Sequence, residues 1–128
     1  MQKIELSVHE FMTVMGNMDE GFGGRMKAPD ESVYAHWYTQ WKALDERLES
    51  LGLMERADML FDGKVAINAL SEAHFQELLK CVRSQVKYHG QLIADKDEDG
   101  DEDELNMWEE RLAELQAIHD SADWQNQG

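Results

Sequence analysis

Between residues 95 and 104 the chain reads Asp-Lys-Asp-Glu-Asp-Gly-Asp-Glu-Asp-Glu: eight carboxylates, one lysine and one glycine. Such a run supports three chemistries. Carboxylates at alternating positions (Asp95, Asp97, Asp99 and Asp101) can wrap a hard cation in oxygens, with Gly100 allowing a sharp turn. Asp97, Asp99, Asp101, Glu102, Asp103 and Glu104 can instead meet the lysines and arginines of a basic partner. In the third reading Asp101 to Glu104 form the first turn of a helix, whose dipole favours negative charge, and Asp95 to Gly100 are a solvated connector. Blocks of like charge are commonly solvated surface, so the third reading leads.

The segment Asp95-x-Asp97-x-Asp99-Gly100 resembles the first half of an EF-hand calcium loop. The resemblance covers about twelve residues and then departs from the pattern. Glu102 stands at the eighth position, where an apolar residue belongs, and Asn106 at the twelfth, where a bidentate glutamate closes the shell. What this implies is a weak calcium site, not a tuned sensor.

The remaining reactive residues are scattered. No two of His9, His36, His74, His89 and His119 stand three or four positions apart, so there is no helical zinc motif. His119 and Asp123 have i,i+4 spacing and could share a metal through a third ligand. A histidine near a helix C-terminus is equally explained by the dipole there. Cys81 is a nucleophile only if a base lies beside it, and a free cysteine is by default a small buried hydrophobe. No G-x-S-x-G, Walker or dinucleotide fingerprint occurs.

Gly21-Phe-Gly-Gly24 follows a helix-like segment, and Pro29-Asp30 places an acid at the next helix start, so a phosphate cradle is not expected. Phe22, Arg25 and Met26 are interface-type residues displayed on this loop. Tyr34, His36, Trp37, Tyr38 and Trp41 put five aromatic rings in eight positions. They cannot all face one stripe. Tyr34 and Tyr38 are therefore candidates for a partner surface.

Net charge is −15 with a pI near 4.5. The acidic run holds −7 of it, and the other nineteen acids stand against eleven bases. This disfavours direct nucleic-acid binding and anionic membranes and favours steering towards a basic protein. No apolar run approaches the roughly 20 residues that cross a bilayer. The opening MQKIELSVHEF lacks the layout of a secretory signal. With a lone cysteine besides, the expected compartment is the cytoplasm. Residues 1–124 are expected to form a single domain with a frayed tail at 125–128.

Hydropathy patterning supplies the elements. Lys3 to Leu6 alternate as a short edge strand, and Ser7 with Glu10 makes a capping box for a helix that stops at the glycines. A second helix is predicted from about Asp30 to Leu51, with Trp37, Trp41, Leu44, Leu48 and Leu51 as its core stripe. Met59 to Ile67 predicts a hairpin turning at Asp62-Gly63 in a type I′ turn. Ser71 and Glu72 open a third helix running to Ile93. Leu105, Trp108, Leu112 and Leu115 mark a last one, to about Ala122. The expected fold is α+β and predominantly helical, with three to four helices packed on a small antiparallel β-hairpin sheet.

The expected function is that of a non-enzymatic acidic protein, a monomer or homodimer, that inhibits or neutralises a basic partner. That partner would be a nucleic-acid-binding enzyme or complex. The profile (short, acidic, one domain, no catalytic motif) resembles that of immunity proteins and of phage-encoded antagonists, anti-CRISPR proteins among them. The alternatives are a calcium-responsive module, a small secretion-type chaperone, and an enzyme subunit with Cys81, His119 or Asp123 in its site. A homodimer would use exposed stripes at Trp37/Trp41 or Trp108/Leu112.

Overall fold

Ser7 is where the chain turns from strand to helix. Its hydroxyl accepts from the Glu10 N–H at 3.0 Å, and the Glu10 carboxylate accepts from the Ser7 N–H at 2.9 Å, the reciprocal box expected from the sequence. Strand β1 (Gln2–Ser7) ends there and helix α1 (Val8–Phe22) begins. The computed structural model describes residues 2–22 and 30–124. Helix α1 is described to Phe22, within the glycine segment expected to stop it.

Asp30 caps α2 (Glu31–Glu49), its carboxylate accepting from the Ser32 N–H at 2.9 Å. Trp37, Leu44 and Leu48 are buried along the expected stripe, with Trp41 and Leu51 partly buried against the same core. The Trp37 indole N–H finds a buried-side partner in the His74 carbonyl at 3.1 Å.

The next element corrects the sequence reading. Residues Leu53–Asp62 form a helix, α3, and Gly63 is its C-cap. No hairpin turns at Asp62-Gly63: Gly63 has φ −72° and ψ 158°, whereas a type I′ turn needs positive φ. Glycine is required here for space instead. The Gly63 N–H bonds the Met59 carbonyl at 2.9 Å, so the chain leaves α3 packed on its own last turn.

Strand β2 (Lys64–Leu70) follows and pairs antiparallel with β1, Ile4 opposite Ile67 and Leu6 opposite Val65. The two-strand antiparallel sheet is present, but its partners come from distant parts of the sequence. An irregularity between Gln2 and Ile4 shifts the register so that Leu70 stands opposite Gln2. That shift resets the face, which is why Leu70 is buried along with Ile67 despite the odd spacing.

Ser71 caps α4 (Glu72–Ala94), and the third-position partner in its box is His74, whose Nδ1 lies 3.2 Å from the Ser71 N–H. Phe75, Leu78, Leu79, Cys81 and Val82 are its buried residues. Helix α5 (Glu102–Ser121) packs back along α4 and buries Trp108 and Leu115. Buried side chains of β1, β2, α1, α2, α4 and α5 make one core. Among the described residues there are thus five helices, and none is long and apolar enough to cross a membrane.

The α4 C-terminus closes in a Schellman arrangement: the Lys96 N–H bonds the Ile93 carbonyl at 3.1 Å and the Asp97 N–H bonds the Leu92 carbonyl at 2.9 Å. Lys96 occupies the left-handed position with φ 55°, where a Cβ is unfavourable. Replacing it by glycine, Lys96→Gly, should raise stability by about 1 kcal/mol. Urea melts in high salt check this, because screening removes the separate effect of losing a positive charge among carboxylates. A lower midpoint in high salt would refute it.

Candidate partner-docking surface

Helix α3 has no buried residue, although its apolar positions are well ordered in sequence. Leu53, Met54, Ala57, Leu60 and Phe61 fall at helical spacing on one side. Leu53 is 83%, Met54 79% and Phe61 87% exposed, so this stripe faces solvent, not the core. What holds the helix in place is its other side. Met59 packs against the core, and Arg56 turns back to donate from Nε to the Leu48 carbonyl of α2 at 3.0 Å. That places the guanidinium at a helix C-terminus, where the dipole favours a cation. The acids of this helix, Glu55, Asp58 and Asp62, also face solvent, all three on the flank beyond Met54.

Two contacts carry this surface towards the acidic segment. The Val8 N–H donates to the Gly63 carbonyl at 3.0 Å, joining the end of α3 to the start of α1. His9 Nε2 then lies 2.9 Å from Glu104 Oε1, joining α1 to the first turn of α5. Glu104 also accepts from the Trp108 indole at 3.0 Å, so its carboxylate clamps the fold together. Phe61, Asp62 and the acidic α5 terminus therefore belong to the same end of the molecule.

Arg111 and Lys64 are engaged by carboxylates of their own. Arg111 grips Glu10 with both arms, Nε to Oε2 at 2.5 Å and Nη2 to Oε1 at 3.0 Å, and its Nη1 reaches Glu114 at 2.8 Å. Burial works to raise the Glu10 carboxyl, but the hydrogen bonds from Arg111 and Ser7 outweigh it and hold the group below its ordinary value. The hydrogen bond to Glu10 in turn raises Arg111. Lys64 lies 3.6 Å from Glu5 across the strand pair. A cleft of about 290 Å³ beside the Ser7–Glu10 turn is lined by His9, Met107, Arg111 and three glutamates, Glu10, Glu110 and Glu114.

The acidic segment itself divides into connector and helix start, as the leading sequence reading has it. Asp95 is the C-cap of α4 and accepts from the Gln91 amide at 2.9 Å. Asp97 accepts from the Asp99 N–H at 2.9 Å. Asp101 caps α5, accepting from the Asp103 and Glu104 N–H groups at 2.9 and 3.2 Å. Three of the four calcium candidates thus aim oxygens at their own neighbours. Among the described residues no three acidic, histidine or cysteine side chains gather as a metal site. Glu98, Asp99, Glu102 and Asp103 are exposed.

The other sequence candidates do not converge on this end. Tyr34 and Tyr38 stack at 6.0 Å, with Tyr38 exposed, and the Tyr34 hydroxyl donates to Asp19. That bond, with some burial, pushes the Tyr34 phenol up to about 12. Asp19 lies ten positions after His9 on α1, about 15 Å along the axis. The pair is a separate feature. The Phe22 side chain, Arg25 and Met26 lie outside the described residues.

The stripes offered for a homodimer are core: Trp37 and Trp108 are fully buried, and Trp41 and Leu112 are partly buried against the same core within one chain. Cys81 is buried, and desolvation, reinforced by Glu77, pushes its thiol up to about 12, away from a reactive thiolate. His119 sits with Nε2 3.2 Å from Glu72 and Nδ1 3.3 Å from Asp120, its ring against Phe75 and Trp124. His36 and His74 stack at 4.0 Å; burial, then the neighbouring His36, lowers His74.

Residues Leu53, Met54, Leu60 and Phe61 are what sequence reasoning missed. Their 3.6-residue spacing was present, but the Asp-Gly pair drew residues 59–67 into a hairpin and left 53–58 without an element. No protein-family model, curated protein or solved structure matches the chain.

Proposed function

We propose that the chain is a non-enzymatic acidic binding protein that neutralises a basic protein, such as a nucleic-acid-processing or defence complex. One observation carries the reading: the charge at the acidic end is left unbalanced. Arg111 and Lys64 are paired with Glu10, Glu114 and Glu5, while Asp62, Glu98, Asp99, Glu102 and Asp103 face solvent against the single exposed base of the acidic segment, Lys96. Such a surface steers towards lysines and arginines, and those that hold phosphate are the natural target of an inhibitor. Neutralisation is then steric and electrostatic, with no bond made or broken.

The test is affinity capture from a lysate of the source cells at low and high salt, followed by titration of the purified partner. Affinity should fall roughly tenfold or more between 50 and 500 mM salt, since exposed charges are screened beyond a Debye length. The triple variant Asp99→Asn, Glu102→Gln, Asp103→Asn should lose a measurable part of that salt dependence. An affinity indifferent to salt in the unmodified protein would remove the electrostatic basis of the reading.

A further inference from the structure

A ten-residue helix that presents its apolar stripe to water is unusual in a folded domain, because burying that stripe is what ordinarily holds an amphipathic helix in place. Here α3 is fixed without it, through Met59, through Arg56 on the α2 carbonyls, and through the Gly63 carbonyl on Val8. The stripe is therefore available. We propose that α3 is the docking element, and that its occupant is an amphipathic basic helix of the partner protein. This rests on the reading of the chain as a binder of a basic protein and goes further by naming the surface and the partner's secondary structure.

Charge selects the occupant. Asp58 borders the stripe beside Met54, with Asp62 and Glu55 behind it on the same flank, and the helix's one base, Arg56, is turned back to the α2 carbonyls, so the exposed charge of α3 is carboxylate alone. A second copy docked by two-fold symmetry through this face would set those carboxylates against their equivalents, a like-charge juxtaposition. An anionic membrane meets the same repulsion. A helix with lysines and arginines flanking an apolar stripe meets none. Its apolar side chains seat against Leu53, Met54, Leu60 and Phe61, helix on helix, and its basic flank on the Met54 side reaches Asp58 and the carboxylates behind it. Beyond Gly63 the surface continues past His9 to the first turn of α5, so a longer basic helix finds Glu102 and Asp103 next.

The experiment uses a fluorescent synthetic peptide of about 18 residues, five helical turns, with leucines on one face and lysines on the other. A peptide of the same composition with the leucines scattered is its control. Fluorescence anisotropy should show the amphipathic peptide binding the full chain about tenfold more tightly than the control. The double variant Leu53→Ser, Phe61→Ser should erase that preference. Both side chains are more than four-fifths exposed, so circular dichroism and the melting temperature should stay unchanged.

Equal binding of the amphipathic peptide by the variant and the unmodified chain would overturn the assignment to α3 and leave the binding function standing. No binding of either basic peptide, together with no salt-sensitive partner in the capture experiment, would overturn both. A dimer seen by sedimentation and abolished by Phe61→Ser would give the face to a second copy. Flotation with neutral phosphatidylcholine vesicles, lost in the same variant, would give it to lipid. Either result overturns the proposal.

Discussion

Gly63→Ala should destabilise the protein by about 3 kcal/mol, the upper range for forcing atoms into a packed site. An added Cβ would lie 2.3 Å from the Met59 carbonyl oxygen and 2.6 Å from the Met59 sulfur. The sulfur can swing aside. The carbonyl cannot, because it accepts the Gly63 N–H that ends α3 and aligns the chain with β2. Moving it also disturbs the Gly63 carbonyl that receives the Val8 N–H. One methyl group thus loosens α3, the strand pair and the start of α1 together. Urea unfolding gives the test: a large drop in midpoint with an unchanged slope. A loss below about 1 kcal/mol would show that the last turn of α3 relaxes freely, against the packing described.

Arg111→Met should cost a comparable amount, about 3 kcal/mol, because it leaves the Glu10 carboxylate buried without its partner. Glu10 is 3% exposed, while the Arg111 side chain is 27% exposed, which places the cost at the lower end for breaking such pairs. Acid provides an independent check with a definite sign. In the unmodified protein Glu10 is held below its ordinary 4.5, so the pair's contribution is full above that pH. It is lost as pH falls through the lower folded value. In Arg111→Met burial acts without the compensating bonds from Arg111 and raises Glu10. The gap between the variant and the unmodified protein should therefore narrow from pH 7 to pH 4. A gap that stays constant would mean that Arg111 stabilises through packing alone.

Both predictions rest on contacts between residues far apart in sequence, and this is where sequence reading stopped. The Ser7–Glu10 box was legible, since its two hydrogen bonds close within four residues. That Glu10 also meets Arg111, a hundred and one positions away, was not. The Asp30 cap, the Trp37 stripe and the Ser71 cap were legible for the same local reason. The α3 helix was misread because Asp-Gly is a turn signal whose meaning depends on φ, and φ at Gly63 is set by Met59 beneath it and by β1 beside it. The start of α5 at the end of the acidic segment was legible too, because the Asp101 cap closes within three residues. That Glu104 leaves the group to clamp His9 and Trp108 required the fold.

Composition and periodicity by themselves determined the class: a mostly helical α+β chain, strongly acidic, with helices α2, α4 and α5 placed nearly to the residue. They could do so because capping and amphipathic spacing act over one or two turns, and each turn carries its own signal. Tertiary structure alone decided which strand pairs with which, which bases are engaged, and which apolar stripe is left in water. Those outcomes depend on which surfaces meet in space. The stripes of α2 and α5 meet the core and are buried, while that of α3, equally regular in sequence, faces outward because Arg56 and Met59 hold its opposite side.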